Sequence, residues 1–280
     1  MVAHHAASYR RTLDVSIDRI WENALDWEHL PHLHASTFAT IDLIERRADP
    51  ELWRARVEVR GLYRQQLVLE LRTDRPRLSY VTRTLAGFGR GTEVRTTLQP
   101  RGERSTDIVV EFHLAVPRLV APLAGVAYRR LYDRLWSEDL VMMRHRQRVL
   151  DAAAARRTER AAARATEPAS PAPHVIGLAH ELRARTPLLV TTPQGVFRVV
   201  SIGSDLHAHT VQCPHLGGPL DAAAVVDGVI TCPWHGYQFD VVTGRPVGAH
   251  RCRLSRAPAV EVDAVTGEAR LVWAPTSGAG

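Results

Sequence analysis

The spacing of apolar positions changes character twice along the chain. Residues 9–15 alternate as a short strand does. From Ser16 the spacing becomes helical, with Ile17, Ile20, Trp21 and Ala24 on one face through about Asp26. Ser16 stands where a helix N-cap belongs. A histidine-rich segment, Trp27 to His34, comes next. Strand-like runs recur near 37–45, 52–60, 62–72, 78–84, 92–99 and 105–116, divided by Asp-Pro, Gly or Pro-containing turns. From about Leu119 the pattern predicts a long helix that runs into an Ala/Arg stretch ending near Ala165. One strand, two short helices, a six-strand meander and a long helix predict an α+β domain over residues 1–164. Residues 165–174 hold three prolines among small side chains, cannot continue a helix and predict a linker. Short strands with Gly and Pro turns follow (187–192, 195–201, 208–212, 225–231 and 258–263), which predicts an all-β domain over 175–280.

Composition narrows the chemistry. Hydrophobic residues make up 45% of the chain, enough for each domain to bury a core. The formal charge is +6, yet all 36 basic residues are arginines in an alanine-rich chain, which reads as a compositional habit. No motif interleaves arginine with aromatics, so no nucleic-acid partner is expected. Without lysine there is no Schiff-base, phosphate-loop or kinase lysine. Gly87, Gly89 and Gly91 lie between two strand-like runs and predict a hairpin turn, not a nucleotide-binding turn. Three cysteines make no disulfide framework, which points to a reducing compartment. The first twenty residues include Asp14, Asp18 and arginines in place of the apolar core of a signal peptide. The apolar stretch Leu114 to Tyr128 is broken by Pro117, Arg118 and Pro122 and is too short for a bilayer. A soluble, cytoplasmic protein without a membrane partner is expected.

The strongest chemical signal lies in the second domain, in Cys213-Pro-His215-Leu-Gly-Gly and Cys232-Pro-Trp-His235-Gly. Each segment offers a thiolate and an imidazole, and 16 residues separate His215 from Cys232. Two cysteines can hold one iron of a [2Fe-2S] cluster while two histidines hold the other. Neutral imidazoles in place of thiolates raise the potential above that of an all-cysteine cluster. Gly217, Gly218 and Gly236 let the loops approach it closely. A structural zinc ion also accepts two cysteines and two histidines, but zinc fingers usually pair like with like in each half, and here each half is mixed. Residues 174–273 resemble a Rieske ferredoxin domain. Gly218 and Trp234 stand where respiratory versions place two further cysteines, so the resemblance is to the ferredoxin and oxygenase branch. It implies a lower potential and electrons accepted from a reductase. Cys252 lies outside the motif and reads as an ordinary core or strand thiol.

A second site is readable in Glu22-Asn23-Ala-Leu-Asp26-Trp-Glu-His29-Leu-Pro-His32-Leu-His34. Iron oxygenases need two histidines and a carboxylate on one face of the metal. His29 and His34 lie five apart across a proline-bent helix end and can converge, with His32 between them the impostor. The pattern is similar to the mononuclear iron motif of Rieske non-haem oxygenases, and the first domain resembles the helix-grip fold of the START and Bet v 1 superfamily. By that resemblance His29 and His34 bind iron, and Asp26 bridges to a cluster histidine across a subunit interface. The third ligand of the family is an Asp on the late helix, where Trp136-Ser-Glu138-Asp139-Leu stands. Asp139 is in register with Tyr132, Trp136 and Met143, and Glu138 with Leu131, Leu135 and Met142, so register does not choose between them. The resemblance favours Asp139. His4 and His5 read as a disordered terminus, His113 as a strand residue, His207 and His209 as the lead into the cluster loop, and His145 as following the ligand helix.

The resemblance therefore implies a Rieske oxygenase component with its domains in reversed order. It implies a [2Fe-2S] cluster, a mononuclear Fe(II) and an NAD(P)H-dependent reductase or ferredoxin as electron donor. Dioxygen and a small organic molecule are the implied substrates, and the implied assembly is a homotrimer. A non-catalytic Rieske electron carrier fused to a hydrophobic-ligand-binding module is the alternative, and a helix-grip cyclase with an attached carrier is a third.

Overall fold

The computed structural model describes residues 2–61, 65–163 and 171–274, with side chains to residue 159 in the long helix. It separates into two compact units, Met1–Arg148 and Val149–Gly280. The predicted first domain ends at 164, but the long helix runs unbroken through the division at 148. The predicted linker lies largely outside the described residues.

The first unit is built on a strand β1 (His4–Leu13), a helix α1 (Ile17–Leu25), a one-turn helix α2 (Leu30–Leu33) and a six-strand meander. The meander comprises β2 (Phe38–Ala48), β3 (Glu51–Val59), β4 (Gln65–Asp74), β5 (Ser79–Ala86), β6 (Glu93–Gly102) and β7 (Ser105–Leu114). The helix α3 (Ala121–Ala163) follows. All neighbouring strands pair antiparallel in the order β1-β7-β6-β5-β4-β3-β2. This is the expected helix-grip fold. The terminus expected to be disordered is ordered: His4 pairs with Leu114 and His5 with His113, because β1 extends the sheet along the outer edge of β7. The predicted Gly87–Gly91 turn joins β5 to β6, and all three glycines have positive φ, from 75° to 93°.

Alternation decides which side of the sheet packs. Along β7, Thr106, Ile108, Val110, Phe112 and Leu114 are buried, and they face α3 through a core that includes Trp136, Leu140 and Met143. Phe112 meets Tyr128 and Tyr132 of the helix at ring separations of 5.6 and 5.0 Å. The α1 face is built in the same way, with Ile20 and Trp21 buried and the Trp53 indole donating to the Ala24 carbonyl at 2.9 Å. Ser16 occupies the N-cap position, but its hydroxyl makes no capping bond, and the first turn is closed by Arg19 N–H to the Ser16 carbonyl.

The second unit comprises β8 (His174–Leu178), α4 (Ala179–Arg185), β9 (Leu188–Thr192), β10 (Gly195–Ile202), β11 (Asp205–Thr210), β12 (Val225–Val226), β13 (Val229–Thr231), β14 (Gln238–Asp240), β15 (Pro246–Val247), β16 (Ala259–Val262) and β17 (Glu268–Val272). They form antiparallel sheets ordered β11-β10-β9, β12-β13-β14-β15 and β16-β17-β8. The single strand predicted over 225–231 is a hairpin, because Asp227 and Gly228 adopt φ of 50° and 77° and turn the chain back. Its base sheets enclose Phe197, Val199, Leu206 and Leu271, and the cluster segments sit in the loops around the small sheet. No helix among the described residues is long and apolar enough to cross a membrane.

Phe112 is fully buried, so Phe112→Ala should lower the stability of the first unit by about 3–5 kcal/mol. Urea titration of the full chain, followed by far-UV circular dichroism, measures it.

Candidate metal centres

The two cluster segments share one backbone turn. Cys213 N–H donates to the Gly218 carbonyl at 2.8 Å, and Gly217 N–H returns to the Cys213 carbonyl at 2.9 Å. Cys232 N–H likewise donates to the Tyr237 carbonyl at 2.8 Å, and Gly236 N–H to the Cys232 carbonyl at 2.9 Å. The residue four past each cysteine needs a positive φ (79° at Gly217, 67° at Gly236), which glycine adopts without strain. Within this shared turn, His215 stands two places past its cysteine and His235 three places past its own.

The result is a compact donor set. Cys213 and Cys232 are free and buried, and the His215 and His235 rings stand edge to face at 4.5 Å. The hydrogen bond between the two sulfurs holds the Cys232 thiol below its ordinary range and pushes Cys213 above it. A bound metal would stabilise both as thiolates. A Cβ at Gly218 would lie 2.7 Å from the Cys232 sulfur and 3.2 Å from the Trp234 ring. Buried paired thiols, adjoining imidazoles and a gap kept clear of side chains fit a [2Fe-2S] cluster.

Sequence reasoning missed the residues behind this set. Arg198 is buried on β10 and donates to the Leu220 carbonyl at 3.1 Å and to the Ala223 carbonyl, which ties down the segment after the first loop. A buried arginine in a strand looks like any other from composition. Cys252 is neither core nor strand: it lies half-buried between β15 and β16, near enough to Cys213 to oppose its ionisation.

In the first unit, α1 ends at Leu25, a 3-10 turn covers Trp27–His29, and α2 begins with Pro31 in its first turn. These bends bring His29 and His34 together with Asp139 of α3, so that one ligand atom of each lies within 4.8 Å of the others. His29 Nε2 is 3.4 Å and His34 Nε2 3.0 Å from the same Asp139 oxygen, which also accepts from Asn23 Nδ2 at 3.0 Å. Each remaining ring nitrogen faces another carboxylate. His29 Nδ1 is 3.6 Å from Asp26, and His34 Nδ1 is 2.5 Å from Glu138. Helical register left Glu138 and Asp139 open, and the structure separates them: Asp139 meets the converging Nε2 atoms, and Glu138 sits behind His34. His32 is exposed and outside the group. His145 lies within α3, six residues past Asp139.

The electrostatics match a site made for a cation. Burial alone would raise Asp139, but hydrogen bonds from His29 and His34 outweigh it and hold its carboxyl far below the usual range. Burial also opposes charge on His29, yet Asp139 and Asp26 push its imidazolium up to about 10. Two imidazoles, one carboxylate aimed between them and an acid behind each ring are the donor set of a 2-His-1-carboxylate metal site. Above the group lies a cavity of about 130 Å³ walled by Phe38, Trp53, Leu71, Tyr80, Tyr132 and Trp136. Burial pushes the Tyr80 and Tyr132 hydroxyls up, so this wall stays uncharged.

Residues 172–258 match the family model of the Rieske [2Fe-2S] domain, so the second unit carries such a domain and the zinc reading falls. Apoptosis-inducing factor 3 of Mus musculus and of Homo sapiens is 38% identical over 50 residues, 18% of this chain. The chain spans 8% of the length of those curated relatives. Among solved structures, a START superfamily protein from Mycobacterium smegmatis is similar over 47% of this chain and 94% of its own, at 19% identity and a TM-score of 0.39. A quaternary ammonium Rieske monooxygenase is similar over 53% of this chain and 40% of its own, at 13% identity and a TM-score of 0.41.

Gly218→Ala tests the cluster cradle. The added methyl collides with the Cys232 sulfur and should sharply reduce cluster incorporation, read as acid-labile sulfide per chain, while far-UV circular dichroism stays as in wild type.

Proposed function

We propose that the chain is a Rieske-type oxygenase component, with a [2Fe-2S] cluster held by Cys213, His215, Cys232 and His235 and a mononuclear non-haem iron held by His29, His34 and Asp139. The observation that carries this reading is the convergence of two Nε2 atoms on one Asp139 oxygen beside an apolar cavity. When bound, the cluster supplies single electrons, and the iron supplies open positions where dioxygen can react with substrate.

The chain's own residues prepare that chemistry. Glu138 accepts from His34 Nδ1, which fixes that ring and leaves its Nε2 aimed at the metal position, and the Asp26 carboxylate faces His29 Nδ1 at 3.6 Å as an ion pair. Asn23 holds the Asp139 carboxylate in place through its amide. Trp53, Leu71, Tyr132 and Trp136 exclude water and accept an organic molecule about the size of one six-membered ring, since cavities of ~150 Å³ lined by apolar groups hold benzene. Hydroxylation of such a molecule is the reaction class. An NAD(P)H-dependent reductase or a ferredoxin delivers the electrons. Asp26 links His29 to a cluster histidine of a neighbouring subunit in a homotrimer.

The test is the iron-to-sulfide ratio after anaerobic reconstitution with Fe(II). Wild type should hold about three irons per two acid-labile sulfides, and His29→Ala/His34→Ala about two. Asp139→Asn should also lose the third iron while keeping the cluster. A ratio near one in all three proteins would leave only the cluster, and a non-catalytic electron carrier fused to a ligand-binding module would replace the oxygenase reading.

A further inference from the structure

The loop between β15 and β16 carries His250, to which the cluster motif assigns no part. The loop is tied to the small sheet at three points. Leu254 N–H donates to the Gly244 carbonyl at 3.0 Å, Arg253 Nη2 to the Thr243 carbonyl at 3.1 Å, and His250 Nε2 to the Gln238 carbonyl at 2.9 Å. The last bond fixes the His250 tautomer, with the proton on Nε2, and orients its ring.

That ring lies flat on Tyr237, with centroids 4.3 Å apart and planes 13° from parallel. On its other face Tyr237 stacks on His215, 4.6 Å away at 21°. The edge of the pile is closed by Phe239, fully buried and 4.9 Å from His250 at 70°. Tyr237 cannot slide out along the chain, because its carbonyl accepts the Cys232 N–H of the second cluster loop. Three rings thus run in one stack from the β15–β16 loop to a cluster ligand.

We propose that His250 is a positioning residue for the cluster: by clamping Tyr237 from behind, it fixes the plane of the His215 ring. An imidazole held to iron through one nitrogen would keep one soft motion, rotation about that bond. The His235 ring meets His215 edge to face at 4.5 Å, and the near-parallel Tyr237 ring on its face opposes that rotation, because offset stacking is favourable only over a narrow range of tilt. The inference concerns the Rieske domain alone and does not depend on iron in the first unit.

The test uses the full chain, anaerobically reconstituted, with His250→Ala, His250→Leu and His250→Phe compared with wild type. The readouts are the electron paramagnetic resonance g-tensor of the reduced cluster and the rate of cluster loss to a chelator. His250→Ala and His250→Leu should shift and broaden the g-tensor and speed cluster loss several-fold. His250→Phe, which keeps a flat ring, should stay near wild type. Wild-type spectra and loss rates in Ala and Leu overturn the proposal. So does a Leu variant that matches Phe, since filled volume would then suffice. A Phe variant that behaves like Ala overturns it as well, because the hydrogen bond to Gln238 would then carry the effect in place of the stack. Should His250→Ala fail to fold, the Leu and Phe pair decides.

Discussion

A carboxylate buried on the inner face of a long helix is the constraint around which the first unit is organised. Asp139 is 8% exposed and sits among Tyr132, Trp136 and Met143. Left alone there, a charged carboxylate would cost several kcal/mol or take up a proton. It does neither, because His29, His34 and Asn23 all point at one of its oxygens. Those three residues come from the α1–α2 segment, so the segment must cross the mouth of the sheet at one position and one depth. The Trp53 bond to the Ala24 carbonyl and the burial of Ile20 and Trp21 hold it at that depth. The small apolar cavity is a consequence: it is the space that remains when the helix, the sheet and the segment all close on one acid.

The Rieske domain solves a similar problem with backbone. Its ligands sit on loops, which lack the stiffness of strands, and each loop is locked by the same pair of hydrogen bonds across a left-handed glycine. Arg198 then fastens the segment after the first loop to β10 through carbonyls, and the His250–Tyr237 stack braces the second from outside. At both centres some of the groups that hold the site lie far from it in sequence. Glu138 stands 104 residues from His34, and Leu220 stands 22 from Arg198. A ligand set held in this way keeps its geometry before any metal arrives, which lowers the ordering cost of binding.

The α+β helix-grip order and the mainly β character of the second unit were legible because both rest on local rules, while its short helix α4 went unpredicted. Period-2 alternation, one long helical run and turn residues describe neighbours along the chain, and the sheet follows them strand by strand. The cluster segments were legible for the same reason: thiol, imidazole and glycine at fixed offsets within a few residues form one turn. The Asp227-Gly228 hairpin and the pairing of His4 and His5 were missed. In the first case a two-residue turn lay inside an apolar run, and in the second an edge strand gains its order from β7, 109 or so residues away.

What the sequence by itself determined is therefore the element order, the two-unit plan and the chemical types gathered near 29–34, 138–139, 213–215 and 232–235. What only the tertiary structure decided is the division of labour among them. Glu138 and Asp139 are adjacent on one helix, and their roles differ because α1 and α2 arrive on one side of that helix and not the other. His250 and Arg198 carry no signal in a linear reading, since a stacking ring or a buried guanidinium acts on whatever the fold places against it. Local spacing fixes which donors can share a turn, whereas burial and long-range contact fix which of them face a common point.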